Sequence, residues 1–257
     1  MKKGVFISVR TTSTRLPNKA LMKIGNLSTI EHLIKRVKKS TKADQVVLCT
    51  SDQPEDNTLS ELAKKWEIGC FRGSLKDKLD RWYKAALAFD VDYFVNVDGD
   101  DIFCDPDLID LAFDQFEREG HDFVKCDEEN LVVGAFTFGA TRDTLEKICD
   151  MKDTDDTEAA WLSFSELDLF DTRILSNVPK KLQRPDIRAT LDYQEDFEFF
   201  KTVIEHFENN NIEEYSLGDI VEYLDSNPDI IESNRQCQAA YLQNQKKLTK
   251  LVLKEEG

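Results

Sequence analysis

Two short stretches hold residue types that could do chemistry. The first is Arg10-Thr11-Thr12-Ser13-Thr14-Arg15-Leu16-Pro17-Asn18-Lys19, three cations set among four hydroxyl side chains. Guanidinium and ammonium groups neutralise phosphate charge and hydroxyls add donors, so this composition suits a polyphosphate. The second is Asp98-Gly99-Asp100-Asp101, in which Asp98 and Asp100 form an Asp-x-Asp pair able to offer oxygens to a hard cation such as Mg²⁺. Each stretch also has a plainer reading by itself, as a solvated basic loop or as an Asp/Gly turn.

The elements around them decide whether the two can meet. Gly4-Val5-Phe6-Ile7-Ser8-Val9 is an apolar run emptying into the basic stretch, the pattern of a buried strand and its loop. Val46–Thr50, Ile68–Phe71 and Asp92–Val97 read as further strands, the last stopping at the acidic stretch. Between them, Ile30, Leu33, Ile34 and Val37, then Leu59, Leu62, Ala63 and Trp66, then Leu79, Trp82, Tyr83, Ala86 and Leu87 recur at helical spacing. Ser28-Thr29-Ile30-Glu31 is a capping box for the first of these helices, whose Lys35, Arg36, Lys38 and Lys39 are expected to face solvent. His32 is expected to be structural. Alternation of strand and helix at such short intervals predicts an α/β fold with a mainly parallel sheet and helices on both faces. Ligands in such sheets bind beyond the carboxyl ends of the strands, which would put the cationic loop and the carboxylates on one rim.

Beyond Phe123 the pattern loosens. Val132–Phe138 is expected to be a strand, Thr144, Leu145 and Ile148 a helix, and Asp153–Glu158 a turn capping a short helix through Trp161, all in a small, partly antiparallel elaboration. Arg188–Asp192 is read as extended, followed by helices carrying Phe200, Val203, Ile204 and Phe207, and Leu217, Ile220, Val221 and Leu224. The chain divides into a domain over 1–230 and a polar helical tail over 231–257, the latter with Leu248, Leu251 and Val252 as its apolar footing. No repeat, low-complexity segment or linker interrupts it.

Composition excludes several classes. Of 257 residues, 40% are hydrophobic and 33% charged, which is far from the disordered class. No apolar run approaches the roughly 18 residues of a membrane span, so a cytoplasmic protein with no membrane partner is expected. The six cysteines are scattered without a C-x-x-C pair and are expected to be free thiols. A net charge of −16 argues against nucleic acid as a partner. There is no G-x-x-x-x-G-K-[ST], no G-x-G-x-x-G after the first strand, and no nucleophile elbow for His32, His121 or His206.

Four segments together resemble the cytidylyltransferases that activate acidic sugars, near the 3-deoxy-manno-octulosonate and spore-coat polysaccharide enzymes. They are Arg10-x-x-Ser13-x-Arg15-Leu16-Pro17-x-Lys19, Arg72-Gly73-Ser74 with Asp77 and Arg81, Gly99-Asp100-x-x-x-x-Asp105-Pro106, and Arg188-x-Thr190-Leu191-Asp192-x-x-x-Asp196. They occur in the family's order over roughly residues 4–205. The resemblance implies a glycosyltransferase-A-like, Rossmann-like fold and a Mg²⁺-dependent transfer of CMP from CTP to an acidic sugar, sugar phosphate or phosphonate, with release of pyrophosphate. It implies a homodimer as well. Carried over by position, Arg10, Ser13, Arg15, Lys19, Arg72, Asp77 and Asp98 would contact the nucleotide, and Asp100 and Asp192 the metal. Arg10, Lys19 and Asp100 would act in the chemical step. Asn18 and Thr12 stand where the family commonly has glycine; asparagine tolerates left-handed backbone, so Asn18 is a mild departure. The same acidic pair would also serve a sugar-nucleotide-dependent glycosyltransferase, and a silent nucleotide-binding protein could retain the fold. The cationic loop favours a triphosphate over a diphosphate-sugar donor, and the presence of both Asp100 and Asp192 argues against a silent protein.

Overall fold

The computed structural model describes residues 1–127, 129–157, 169–245 and 251–254. Its strands in chain order are β1 (Lys3–Ser8), β2 (Lys23–Ile24), β3 (Leu27–Ser28), β4 (Gln45–Ser51), β5 (Gly69–Gly73), β6 (Tyr93–Asp98), β7 (Phe123–Lys125), β8 (Phe138–Thr141) and β9 (Thr172–Ile174). The helices are α1 (Thr29–Val37), α2 (Asn57–Lys65), α3 (Lys78–Ala88), α4 (Pro106–Glu119), α5 (Arg142–Met151), α6 (Gln194–Asn209), α7 (Leu217–Asp225), α8 (Pro228–Glu232) and α9 (Arg235–Gln245).

The apolar run of β1 needs cover on both faces and finds it at the middle of a sheet ordered β5-β4-β1-β6-β8-β7-β9. The four strands from β5 to β6 are mutually parallel; β8 runs antiparallel to β6 and to β7, and β9 returns parallel to β7. One face packs Val5, Ile7, Val95 and Val97 against α1, α4 and α6, through Leu33, Ile34, Phe113, Phe200 and Val203 among others. The other packs Phe6, Val47 and Phe94 against Trp82, Leu79 and Ile148 of α3 and α5. The register decides function. Ser8 pairs with Asp98, so β1 and β6 end side by side and release the cationic and acidic loops at the same rim, as the sequence predicts.

Some local expectations are corrected. Val132–Phe138 is not a strand: only Phe138 belongs to β8, and the preceding residues form a loop touching 188 through an isolated Val133–Arg188 bridge. Gly134 explains the break. It sits at φ +86°, and a Cβ there would stand 2.3 Å from the Ala189 carbonyl oxygen. Arg36 does not face solvent; it is buried, with Nε donating to the Cys104 carbonyl at 3.2 Å and Nη1 to that of Tyr215 at 3.3 Å. His32 is structural, its Nε2 lying 2.9 Å from the Ile24 carbonyl oxygen. The hairpin β2–β3 and the short strands β7 and β9 carry no sequence signal strong enough to have been read. The six cysteines are free, with Cys49, Cys104 and Cys237 buried. The turn expected at Asp153–Glu158 is described as far as Thr157; the helix expected to follow it through Trp161 lies outside the described residues.

Candidate active site

The cationic loop is held at both ends. Asp56, at the start of α2, accepts from Thr11 N at 2.8 Å and Thr11 Oγ1 at 2.7 Å, and also from the backbone N–H of Ser51 at 3.2 Å and its hydroxyl. At the far end Asn18 takes φ +56°, ψ +23°, the left-handed conformation that glycine or asparagine adopts at least cost, and turns the chain into a 3₁₀ turn over Lys19–Leu21. That reversal aims Lys19 inward. A cleft of about 390 Å³ lies against the loop, lined by Thr12, Ser13, Asn18 and Glu55 among others.

The acidic loop faces it. Gly99 lets the end of β6 close on β1, since a Cβ there would meet that of Val9 at 2.6 Å. A third segment, 188–192, is tied to the acidic loop by the Leu191 N–H donating to the Asp100 carbonyl at 2.9 Å. Lys19 joins all three: its Nζ donates to Asp100 Oδ2 at 2.6 Å, to the Leu191 carbonyl at 2.6 Å and to Asp192 Oδ1 at 3.0 Å. Arg15 donates to the same Asp192 oxygen. Arg188 Nη2 holds the other Asp192 oxygen at 3.0 Å while its Nε donates to Asp196 Oδ1 at 3.0 Å. Asp196 in turn accepts from the backbone N–H groups of Asp192 and Tyr193 at 2.9 and 3.0 Å, fixing the segment that carries Asp192.

The charges respond to this crowding. Burial alone would raise the Asp100 carboxyl, but Lys19, with help from Lys78, holds it below the ordinary aspartate value. Burial would lower Lys19, and Asp100 and Asp192 outweigh it, so the ammonium is held above its ordinary value. Among the described residues no cation pairs with Asp101 in this way. Burial, then the charges of Asp100 and Asp98, push its carboxyl well above the usual range, and the Thr137 hydroxyl lies 3.3 Å from it. Lys78 Nζ donates to Asp98 Oδ1 at 2.9 Å. Asp98, Asp100 and Asp101 place one oxygen each within 4.8 Å of one another. Hard oxygen donors this close, with Asp192 reaching the same ammonium as Asp100, fit a divalent cation.

Arg15, Lys19, Asp100 and Asp192 are therefore in direct contact, and Asp98 stands beside Asp100. Arg10 Nη1 donates to the Leu75 carbonyl at 3.1 Å, and Ser13 Oγ receives only a long bond of 3.5 Å from Leu16 N beside the cleft. Arg72 and Asp77 are not brought to this cluster. The Arg72 guanidinium clamps the loop after β4, donating to the Ser51 carbonyl at 3.1 Å, to Asn57 Oδ1 at 2.7 Å and to the Gln53 carbonyl at 2.7 Å. Asp77 caps α3 by accepting from Asp80 N at 3.1 Å, and also accepts from Thr157 Oγ1 at 2.8 Å and Lys152 Nζ at 2.5 Å. The motif around Asp192 includes Arg188 and Asp196 without giving either a role of its own, and the sequence gives none to Lys78 or Asp101. The spacing of Arg188, Asp192 and Asp196, four residues apart each time, was the available signal.

Known proteins resemble this chain along most of its length. A sequence model of the family described as cytidylyltransferase matches residues 5–248. An uncharacterized protein of Methanocaldococcus jannaschii, MJ1063, is 33% identical over 231 residues, covering 89% of this chain and 93% of its own. The spore coat polysaccharide biosynthesis protein SpsF of Bacillus subtilis is 26% identical over 229 residues, covering 87% of this chain and 94% of its own. Among solved structures, a cytidylyltransferase from Leptospira borgpetersenii superposes with a TM-score of 0.81 at 28% identity, covering 90% of this chain and 97% of that one. The cationic loop, the acidic turn and the 188–196 segment all fall within the matched span, and by that match the chain belongs to the cytidylyltransferase family.

Proposed function

We propose that the protein transfers CMP from CTP to an oxygen of an acidic sugar, sugar phosphate or phosphonate acceptor, in glycan or surface-polymer biosynthesis. The observation that carries this reading is the clasp of Asp100, Lys19 and Asp192, with Arg15 on the same carboxylate. In the reaction the acceptor oxygen forms a bond to the α-phosphorus as the bond to the bridging oxygen breaks, and pyrophosphate leaves with the electron pair. Negative charge grows on the α-phosphoryl oxygens and on the departing group. The work of the site is to meet that charge with fixed donors and to align the partners, rather than to make covalent bonds.

Asp100 and Asp192 would hold a divalent cation, which when bound screens the phosphate charge and orients the phosphates. Lys19 and Arg15 then have donors to give to the triphosphate, and Arg10 stands at the edge of the same loop. Lys19 and Arg15 pair with Asp100 and Asp192 in the structure, and these same side chains would share a cation and a triphosphate between them. An anionic acceptor oxygen would need no base, whereas a sugar hydroxyl would need one. SpsF is named for polysaccharide biosynthesis, which supports a glycan-building acceptor.

The test is pyrophosphate release with each of the four nucleoside triphosphates and Mg²⁺ against sugar acids, sugar phosphates and phosphonates, with EDTA as control. Release with CTP and one acceptor class, abolished by EDTA, is the expected result. Release with another nucleotide alone, or undiminished by EDTA, overturns the assignment of base or of metal respectively.

A further inference from the structure

Helix α9 docks through a polar face. Asn234 just before it, then Gln238, Tyr241 and Asn244, recur at helical spacing and meet the segment that carries Asp192. Asn234, fully buried, donates through Nδ2 to the Arg188 carbonyl at 3.1 Å and to Asp196 Oδ1 at 3.0 Å. Gln238 Oε1 accepts from Arg188 Nη1 at 2.5 Å, and Asn244 Nδ2 donates to the Tyr193 hydroxyl at 3.2 Å. A helix that only needed anchorage would bury an apolar stripe here. This one instead places an aromatic ring among the cations of the clasp: the Tyr241 centroid lies 5.6 Å from Arg15 Cζ and 5.2 Å from Arg188 Cζ. The Tyr193 ring lies 5.8 Å from the same Arg15 carbon.

Arg15 is held by Asp192 and by these two rings, and Asp192 Oδ1 is already shared with Lys19. Were Asp192 to turn to a cation, the two rings would still hold the guanidinium among the described residues. The ring face attracts a cation without consuming its N–H donors, so a guanidinium held this way keeps all of them for phosphate oxygens.

We propose that Tyr241 is a positioning residue for the nucleotide: together with Tyr193 its ring keeps Arg15 at the clasp, with its donors available to the β- and γ-phosphates. The proposal rests on the functional reading above and makes α9 a wall of the site. Arg188 is tied up by Asp192, Asp196 and Gln238, so the effect of Tyr241 on substrate passes through Arg15.

The test is calorimetric titration of CTP with Mg²⁺, and separately of CMP, into the full-length protein and its Tyr241→Phe, Tyr241→Leu and Tyr241→Ala variants. Leucine keeps apolar bulk under α9 but has no ring face, so it separates positioning from packing. The expected result is CTP affinity reduced about ten-fold in the Leu and Ala variants, restored to within about two-fold by Phe, with CMP binding alike in all four. Leu binding CTP as well as Phe overturns the proposal, because packing alone then suffices. Equal loss of CMP and CTP overturns it too, because the effect would not pass through the outer phosphates. If the unaltered protein binds none of the four nucleoside triphosphates, the functional reading itself fails and takes this proposal with it.

Discussion

Lys19 is the residue on which the most separate pieces of chain converge. Its ammonium answers two carboxylates and a carbonyl, and removing it would leave Asp100 and Asp192 facing each other with one cation fewer. We expect Lys19→Met to lower kcat/KM by at least about 100-fold in the pyrophosphate-release assay, the usual scale for losing a fixed donor to transition-state charge. Lys19→Arg should not restore it, because a planar fork cannot serve three acceptors arranged around one point. Asp100→Asn is expected to abolish the dependence of the rate on Mg²⁺ concentration along with most of the rate. An unchanged Mg²⁺ titration would remove Asp100 from the metal site. The residues of this cluster were legible because cations and carboxylates at strand ends have little reason to be apart in this kind of sheet. Arg72 and Asp77 carry the same residue types but stand apart from this cluster, at a loop and at a helix end. Type and spacing mark a residue as able to bind, but they do not show which loop or helix end already engages its polar atoms.

At the scale of elements, helix α1 shows what local rules do and do not predict. The capping box is formed as read: Ser28 N donates to Glu31 Oε2 at 2.9 Å. Lys65 at 2.6 Å and Trp66 Nε1 at 3.2 Å reach its other oxygen, a tertiary contribution that no local pattern contains. Burial would raise this carboxyl, yet Lys65, the Ser28 backbone and hydroxyl, and the Trp66 indole together hold it down to about 2. A carboxyl held below its unfolded value lends stability that is fully present above the unfolded pKa and is lost as pH falls through the folded one. Glu31 should therefore contribute in full above about pH 4.5 and lose its contribution between there and about pH 2. Chemical denaturation of Glu31→Gln over that window should show a shallower pH dependence than the parent; identical slopes would refute this assignment. The buried Arg36 on the same helix was not legible, because its two carbonyl partners come from residues 104 and 215. The 132–138 loop failed as a strand for a related reason: its apolar residues face a packed neighbour, but Gly134 bends the backbone to clear Ala189.

For the molecule as a whole, the parallel sheet, its rim and a partly antiparallel end were legible, whereas the individual strands of that end were not. Strands of three or four residues such as β7, β8 and β9 carry too little periodicity to be told from loops. A site stitched from such distant segments should feel its ligands globally. With CTP and Mg²⁺ at about a hundred times the dissociation constant, stabilisation of about 2.7 kcal/mol is expected. For a chain of this size that is a rise in Tm of roughly 5–10 °C, reversed by EDTA. A thermal scan with no shift in any nucleoside triphosphate would count against the transferase reading. The same stitching has a kinetic side. β1 gains its second sheet neighbour only when it pairs with β6, where the Ser8 hydroxyl donates to Asn96, 88 residues on, and Arg15 meets Asp192 across 177. Contacts this far apart are slow to close, since the chain entropy is lost before they form. During refolding, recovery of helical signal should thus run ahead of nucleotide capture, with a population of chains that look native by circular dichroism while still unable to hold a triphosphate.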